Sequence, residues 1–229
     1  MTTTTTKPTF KPAHRSHTSL LAAAEKRTLI AIAQRLPAGV NSDHLTALGF
    51  IALLAAGASY GYALFNPVGL LLVIPLLIIN WFGDSLDGTL ARVRDCQRPR
   101  YGFYVDHILD AIGMSALMTG MAFSGFISPM VAGVFLIVYL LLSIEIYLAT
   151  YAVGVFHLSY WNFGPTELRI LLIAGNLFAL RRPDAVIAGH RFLLFDLGFG
   201  IGACALFVIL LQAAVKHTRQ LYREEPSRR

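Results

Sequence analysis

Charged side chains are scarce in this sequence. Asp, Glu, Lys and Arg make up 14% of its 229 residues, where a soluble domain carries roughly 25%. The deficit excludes an ordinary water-facing surface over most of the chain. Cysteine is rarer still. Cys96 lies in a basic stretch and Cys204 in a long apolar run; neither has a second Cys or a His at metal-ligand spacing, so a disulfide and a thiolate metal site are both excluded. No internal repeat and no second domain are visible. A signal peptide is not expected either, because the first apolar run, residues 20–24, is short and is broken by Glu25-Lys26-Arg27.

What the chain has instead is apolar length. Hydrophobic residues make up 55% of it, and a bilayer core needs about 20 mostly apolar residues per helix. Six runs approach that length, at about 44–65, 67–91, 102–125, 128–153, 166–181 and 192–215. Lipid offers the backbone no hydrogen-bond partners, so runs of this kind fold as helices. The expected fold is an all-α integral membrane protein with six transmembrane helices in one domain, residues 40–217. Residues 1–18, rich in Thr and punctuated by Pro, read as a disordered tail. Residues 19–36 read as an amphipathic helix lying in the cytoplasmic interface, with Leu21, Ala24, Thr28 and Ile32 on one face. Residues 218–229 form a basic tail.

The net charge of +6 is informative through its placement. Lys and Arg gather before the first run, between the second and third (Arg92, Arg94, Arg98, Arg100) and after the sixth. The positive-inside rule then places both termini and the loop at 93–101 in the cytoplasm of a cell whose inner membrane holds the protein. Residues 181–191, with Arg181, Arg182 and Arg191, dissent from this topology. Nothing in the distribution calls for a nucleic-acid partner.

The second run ends unusually. From Pro67 to Phe82 nothing is charged and only Asn80 is strongly polar; then Asp84, Asp87, Asp95, Asp106 and Asp110 follow within 27 positions. Asp84 and Asp87 are three apart and Asp106 and Asp110 four apart, so each pair shares a helix face. A short connector would bring the two faces together. Carboxylates crowded beside a low-dielectric wall repel one another, and hard divalent cations such as Mg²⁺, which take oxygen ligands, relieve that repulsion. Gly88 and Ala91 on the same stripe leave space for a flat group, and Arg92 offers a fixed positive charge suited to phosphate. Asp95 instead suits an ion pair with a neighbouring arginine.

Written out, Asp84-x2-Asp87-Gly88-x2-Ala91-Arg92-x9-Gly102-x3-Asp106-x3-Asp110 resembles the full signature of the CDP-alcohol phosphatidyltransferase family, with all eight fixed positions matched. The resemblance implies transfer of the substituted phosphate of a CDP-alcohol, usually CDP-diacylglycerol, to an acceptor hydroxyl with release of CMP, using two Mg²⁺ or Mn²⁺ ions. It implies that Asp84, Asp87 and Asp106 hold metal, and that Asp110 faces the metals and takes the hydroxyl proton. Gly88, Ala91, Arg92 and Gly102 would line the cytidine diphosphate site. It also implies a homodimer. Asp43-His44-Leu45-Thr46 resembles the family's P-N-x-x-T stretch, which makes Thr46 a nucleotide contact; Ser42 and Asp43 depart from it, and Asp43 could equally cap a helix.

The acceptor, a small alcohol or phospho-alcohol, is less legible. Glu167 and Arg169 at the start of the fifth run, with Arg100, are its candidate ligands, because ionisable residues at membrane depth have a purpose. A Glu145–Arg169 salt bridge is the competing use of two of these groups. The K-T-x-x-Q stretch that phosphatidylglycerophosphate synthases of this family carry is missing, which weighs against glycerol 3-phosphate. A different class of function, a divalent-cation transporter using the aspartates as its ion site, would need acids near mid-bilayer on several spans rather than at one rim.

Overall fold

Helices account for most of the computed structural model, which describes residues 14–16, 22–153, 155–157, 165–187 and 189–225. Among the described residues there are seven: α1 (Ala22–Arg35), α2 (Ser42–Ala63), α3 (Val68–Val93), α4 (Pro99–Ala122), α5 (Pro129–Ala152), α6 (Pro165–Ala179) and α7 (Leu194–Glu224). The six apolar runs fall on α2 to α7. Four of these, α2, α3, α5 and α7, are long and apolar enough to cross a membrane. The other two are α4, which carries Asp106, His107 and Asp110 among its apolar positions, and α6, which has 15 residues.

Helix ends follow local chemistry. Asn41 caps α2: its side chain accepts from the His44 amide at 2.9 Å while His44 reaches back to the Asn41 amide. The cap is therefore Asn41, two residues before the expected Asp43, which instead forms an ion pair with Arg98. Pro99 and Pro129 stand at the first turns of α4 and α5, where a missing N–H costs nothing. Between α3 and α4, Asp95 adopts φ 50°, a left-handed turn that Asp tolerates. It serves the turn; among the described residues it makes no ion pair with an arginine.

Two strand pairs add to the helices. β1 (His14–Ser16) runs parallel to β2 (Val155–His157). The latter follows α5, so part of the segment expected to be a disordered tail is paired; residues 1–13 and 17–21 lie outside those described. β3 (Asp184–Ile187) and β4 (His190–Leu193) form an antiparallel hairpin between α6 and α7, turning at Gly189 with φ 82°. This hairpin contains most of the arginine-bearing loop that dissented from the charge pattern.

Helix α2 lies against both α3 and α4 because glycines let the backbones meet. A Cβ on Gly83 would lie 2.5 Å from the Gly49 nitrogen and the Leu45 carbonyl, and one on Gly120 would lie 1.8 Å from the Gly57 carbonyl. Close packing through small residues is the main way helices associate in lipid. The larger core, around Tyr60, Leu70, Leu77, Met118, Met121 and Phe199, reaches the aspartate end of the bundle at Leu53. A smaller one joins Leu29 and Ala33 of α1 to Leu45, Leu86 and Leu90. Helix α1 therefore packs on α3 through Leu29, Ile32 and Ala33, a face turned slightly from the one its sequence pattern indicated.

Candidate active site

The short connector after α3 brings the two acidic stripes face to face. One carboxylate oxygen from each of Asp84, Asp106 and Asp110 lies within 4.8 Å of the others. These three, with Asp87 and Thr46, line a cavity of about 20 Å³ roofed by Gly49, Phe50 and Leu53. That is room for an ion or a single water-sized group. Three carboxylates with oxygen-only donors, close enough to share a cation, fit a hard divalent metal.

Asp87 shares the cavity but has a different partner. Its Oδ2 accepts from Thr46 Oγ1 at 2.6 Å, and its backbone carbonyl accepts from Ser42 Oγ at 3.0 Å. Both donors come from the first two turns of α2, which the Gly49–Gly83 approach holds against α3. Thr46 thus belongs to the aspartate cluster itself.

The nucleotide candidates Gly88, Ala91, Arg92 and Gly102 do not line this cavity. A Cβ on Gly88 would meet only the Arg92 guanidinium at 3.4 Å, and one on Gly102 would meet nothing within 4 Å. These two glycines therefore face open space, unlike Gly49 and Gly83. Arg92 donates to Thr89 Oγ1 at 3.0 Å, with its side chain lying along the Gly88 face. Ala91 is half-buried on the same stripe.

Arg169 is where the structure departs most from expectation. It does not pair with Glu145. Its guanidinium donates to Asp84 Oδ2 at 2.5 Å and to Asn80 Oδ1 at 2.8 Å. Asn80 is buried, and its amide nitrogen donates to the Gly49 carbonyl at 2.9 Å. Glu145 is held by His217 of α7 at 2.6 Å. Glu167 stands in the first turn of α6, whereas Arg100 is exposed at the start of α4.

Further residues come to the site that the sequence did not single out. His107 Nδ1 lies 3.6 Å from Asp106 Oδ2. Its ring stacks on Phe103 and meets Tyr147 edge-on at 4.9 Å, so α5 packs beside the acidic stripe of α4. Glu25 of α1 reaches Trp81, Ser85 and Thr166. A buried Asn in an apolar run was the available signal for Asn80; Glu25 and His107 offered none.

The match to known proteins follows the same geometry. The family model for CDP-alcohol phosphatidyltransferase aligns with residues 42–214, which run from the first turn of α2 into α7. The chain belongs to the CDP-alcohol phosphatidyltransferase family. Its fold is similar to that of the crystal structure of Mycobacterium tuberculosis phosphatidylinositol phosphate synthase (PgsA1) with CDP-DAG bound. The TM-score is 0.56 at 20% sequence identity, over 86% of this chain and 94% of that one. At that identity the likeness is one of fold. No curated protein sequence matches the chain. Neither comparison lends support to the cation-transporter alternative.

Proposed function

We propose that this phosphatidyltransferase moves the substituted phosphate of CDP-diacylglycerol to the hydroxyl of a small polar acceptor, releasing CMP, at the cytoplasmic face of the inner membrane. The observation that carries the reading is the convergence of Asp84, Asp106 and Asp110 on one small cavity at the α3–α4 end of the bundle. Gly88 and Gly102 beside it leave the backbone open to a ligand. The CDP-DAG bound in the mycobacterial structure favours the same donor here.

Asp84, Asp87 and Asp106 would hold two Mg²⁺ or Mn²⁺ ions, with Asp110 facing them. Bound there, such cations neutralise diphosphate charge and polarise the phosphoryl oxygens. Asp110 takes the proton of the acceptor hydroxyl onto a carboxylate oxygen. The acceptor oxygen forms a bond to the phosphorus attached to the lipid, the bond from that phosphorus to the bridging oxygen breaks, and CMP leaves. Arg92 binds phosphate oxygens, and Gly88, Ala91, Gly102 and Thr46 bound the nucleotide. Arg169, beside Asp84, would meet the acceptor, with Glu167 and Arg100 as further acceptor contacts.

In this reading all six helices α2 to α7 span the bilayer and α1 lies at its cytoplasmic surface. The lipid tails stay in the bilayer and reach the site laterally, while the acceptor arrives from water. Two chains pair as a homodimer. The reading is tested with purified protein, CDP-diacylglycerol, Mn²⁺ and a panel of polyols and phosphopolyols that includes inositol phosphate. CMP release with one acceptor is the expected result; no release with any acceptor sinks the transferase reading.

A further inference from the structure

Helix α1 precedes the residues that the family model matches, yet it reaches to within one turn of the site. A single oxygen of Glu25, Oε1, accepts three hydrogen bonds: from Trp81 Nε1 at 2.8 Å, from Thr166 Oγ1 at 2.8 Å and from Ser85 Oγ at 3.3 Å. Trp81 and Ser85 are four apart on α3, so they share a face. That face is adjacent to the one bearing Asn80 and Asp84. Thr166 and Arg169 are three apart and share a face of α6. The two helices are therefore joined twice, once through Glu25 and once, a turn further along α6, through Arg169 to Asn80 and Asp84.

The second joint touches the aspartate cluster and the first does not. α6 is the shortest of the helices that follow α1, and among the described elements it packs mainly on α3. Helix α1 is itself seated through its C-terminal half. Leu29 and Ala33 are buried against Leu86 and Leu90. Beyond its C-terminus, the Arg94 guanidinium donates to the carbonyls of Leu36 and Pro37, at 2.9 and 3.0 Å, and to that of Val40. Glu25 stands about one turn before Leu29, so its carboxylate is carried on the same seated helix. Hydrogen bonds to an ionised oxygen are also stronger than neutral ones.

We propose that Glu25 is a positioning residue for the transfer reaction: by clamping the start of α6 to α3, it sets where the Arg169 guanidinium stands relative to Asp84. Glu25 touches neither substrate nor metal. Its effect passes through Thr166 to Arg169. The catalytic part of this role rests on the transferase reading; the clamp itself does not.

Three variants of the full chain test it, made in a W161F background that leaves Trp81 the sole tryptophan. E25A is expected to lower kcat about tenfold, the size of a lost hydrogen bond to a charged group. KM for CDP-diacylglycerol should hold within about twofold, because the donor stripe on α3 is untouched. The same variant shifts Trp81 emission and speeds amide exchange over residues 165–172. E25Q, which keeps an acceptor oxygen at the same reach, restores most of the kcat. T166V removes only the α6 arm, so kcat falls and exchange over 165–172 rises while Trp81 emission stays at the wild-type value. Wild-type kcat in T166V overturns the positioning role, even where E25A fails to fold. Unchanged Trp81 emission and unchanged exchange in E25A overturn the clamp. If the parent protein releases no CMP with any acceptor, the transferase reading has failed, and emission and exchange still decide the clamp by themselves.

Discussion

Arg169 on α6 and Asp84 on α3, 85 positions apart in sequence, form an ion pair at 2.5 Å inside the bundle, with the two side chains 14% and 26% exposed. Helices α4 and α5 lie between them in the chain, yet the pair stands at the rim of the aspartate cavity. The same guanidinium bonds Asn80, which in turn is tied to the Gly49 carbonyl of α2. Three helices thus meet at one arginine. That arrangement gives Arg169 a charge-balancing role among four carboxylates, besides its proposed contact with the acceptor.

Replacing Arg169 with Gln removes the one ion-pair partner that Asp84 has among the described residues. Breaking a buried pair from one side costs about 3 kcal/mol, so a lower unfolding temperature is expected. CMP release should fall more than about tenfold, the minimum for losing a charge-assisted contact. R169K keeps the charge but cannot bond Asp84 and Asn80 through a planar fork, so it should recover stability more fully than activity. Thermal unfolding and initial rates on the two variants check this. Equal recovery of both would show that geometry at Arg169 is unimportant.

If Asp110 is the base of the proposed reaction, its replacement separates binding from turnover. D110N keeps the side-chain volume and removes the ability to take a proton. A lost general base costs about 10²–10⁴ in rate, so kcat should fall by that factor while CDP-diacylglycerol still binds. Binding by calorimetry and CMP release in parallel are the measurements. A D110N protein that turns over at the wild-type rate would remove Asp110 from the role of base.

The glycines sort into two groups that one methyl tells apart. G83A pushes a Cβ to 2.5 Å from two backbone atoms of α2, where nothing can yield without the helices separating. It should destabilise the bundle and detach Thr46 from Asp87. G88A places its methyl 3.4 Å from the mobile end of Arg92, so folding should be unaffected while KM for the CDP-lipid rises. The two unfolding temperatures, with donor KM for G88A, are sufficient. A wild-type KM in G88A would mean that no nucleotide approaches this stretch of α3.

How much of this the sequence discloses depends on distance along the chain. Asp84, Asp87, Asp106 and Asp110 are legible because helical spacing sets each pair on one face and the connector is short, so local rules suffice. The apolar runs fall on α2 to α7 for the same reason. The partner of Arg169 is not legible, because charge alone makes Glu145 as plausible as Asp84. Only packing decides, by giving Glu145 to His217 of α7. Thr46 was suggested by resemblance, but its bond to Asp87 depends on the glycine contact between α2 and α3. Glu25 looked like one more charge in a basic amphipathic stretch; its three donors come from two helices far along the chain.

Metal removal tests the proposed role of the aspartate cluster. Asp84, Asp106 and Asp110 present oxygens within 4.8 Å of one another, and three such carboxylates repel unless a cation sits among them. Treatment with EDTA is therefore expected to abolish CMP release, and added Mn²⁺ to restore it. D106N removes one anionic ligand, so the Mn²⁺ concentration for half-maximal activity should rise at least about tenfold, as for other damage to a metal's ligand set. Mn²⁺ binding followed by electron paramagnetic resonance gives the same comparison without substrate. Wild-type Mn²⁺ affinity in D106N would place the metal elsewhere, and full activity in EDTA would show that the cluster works without one.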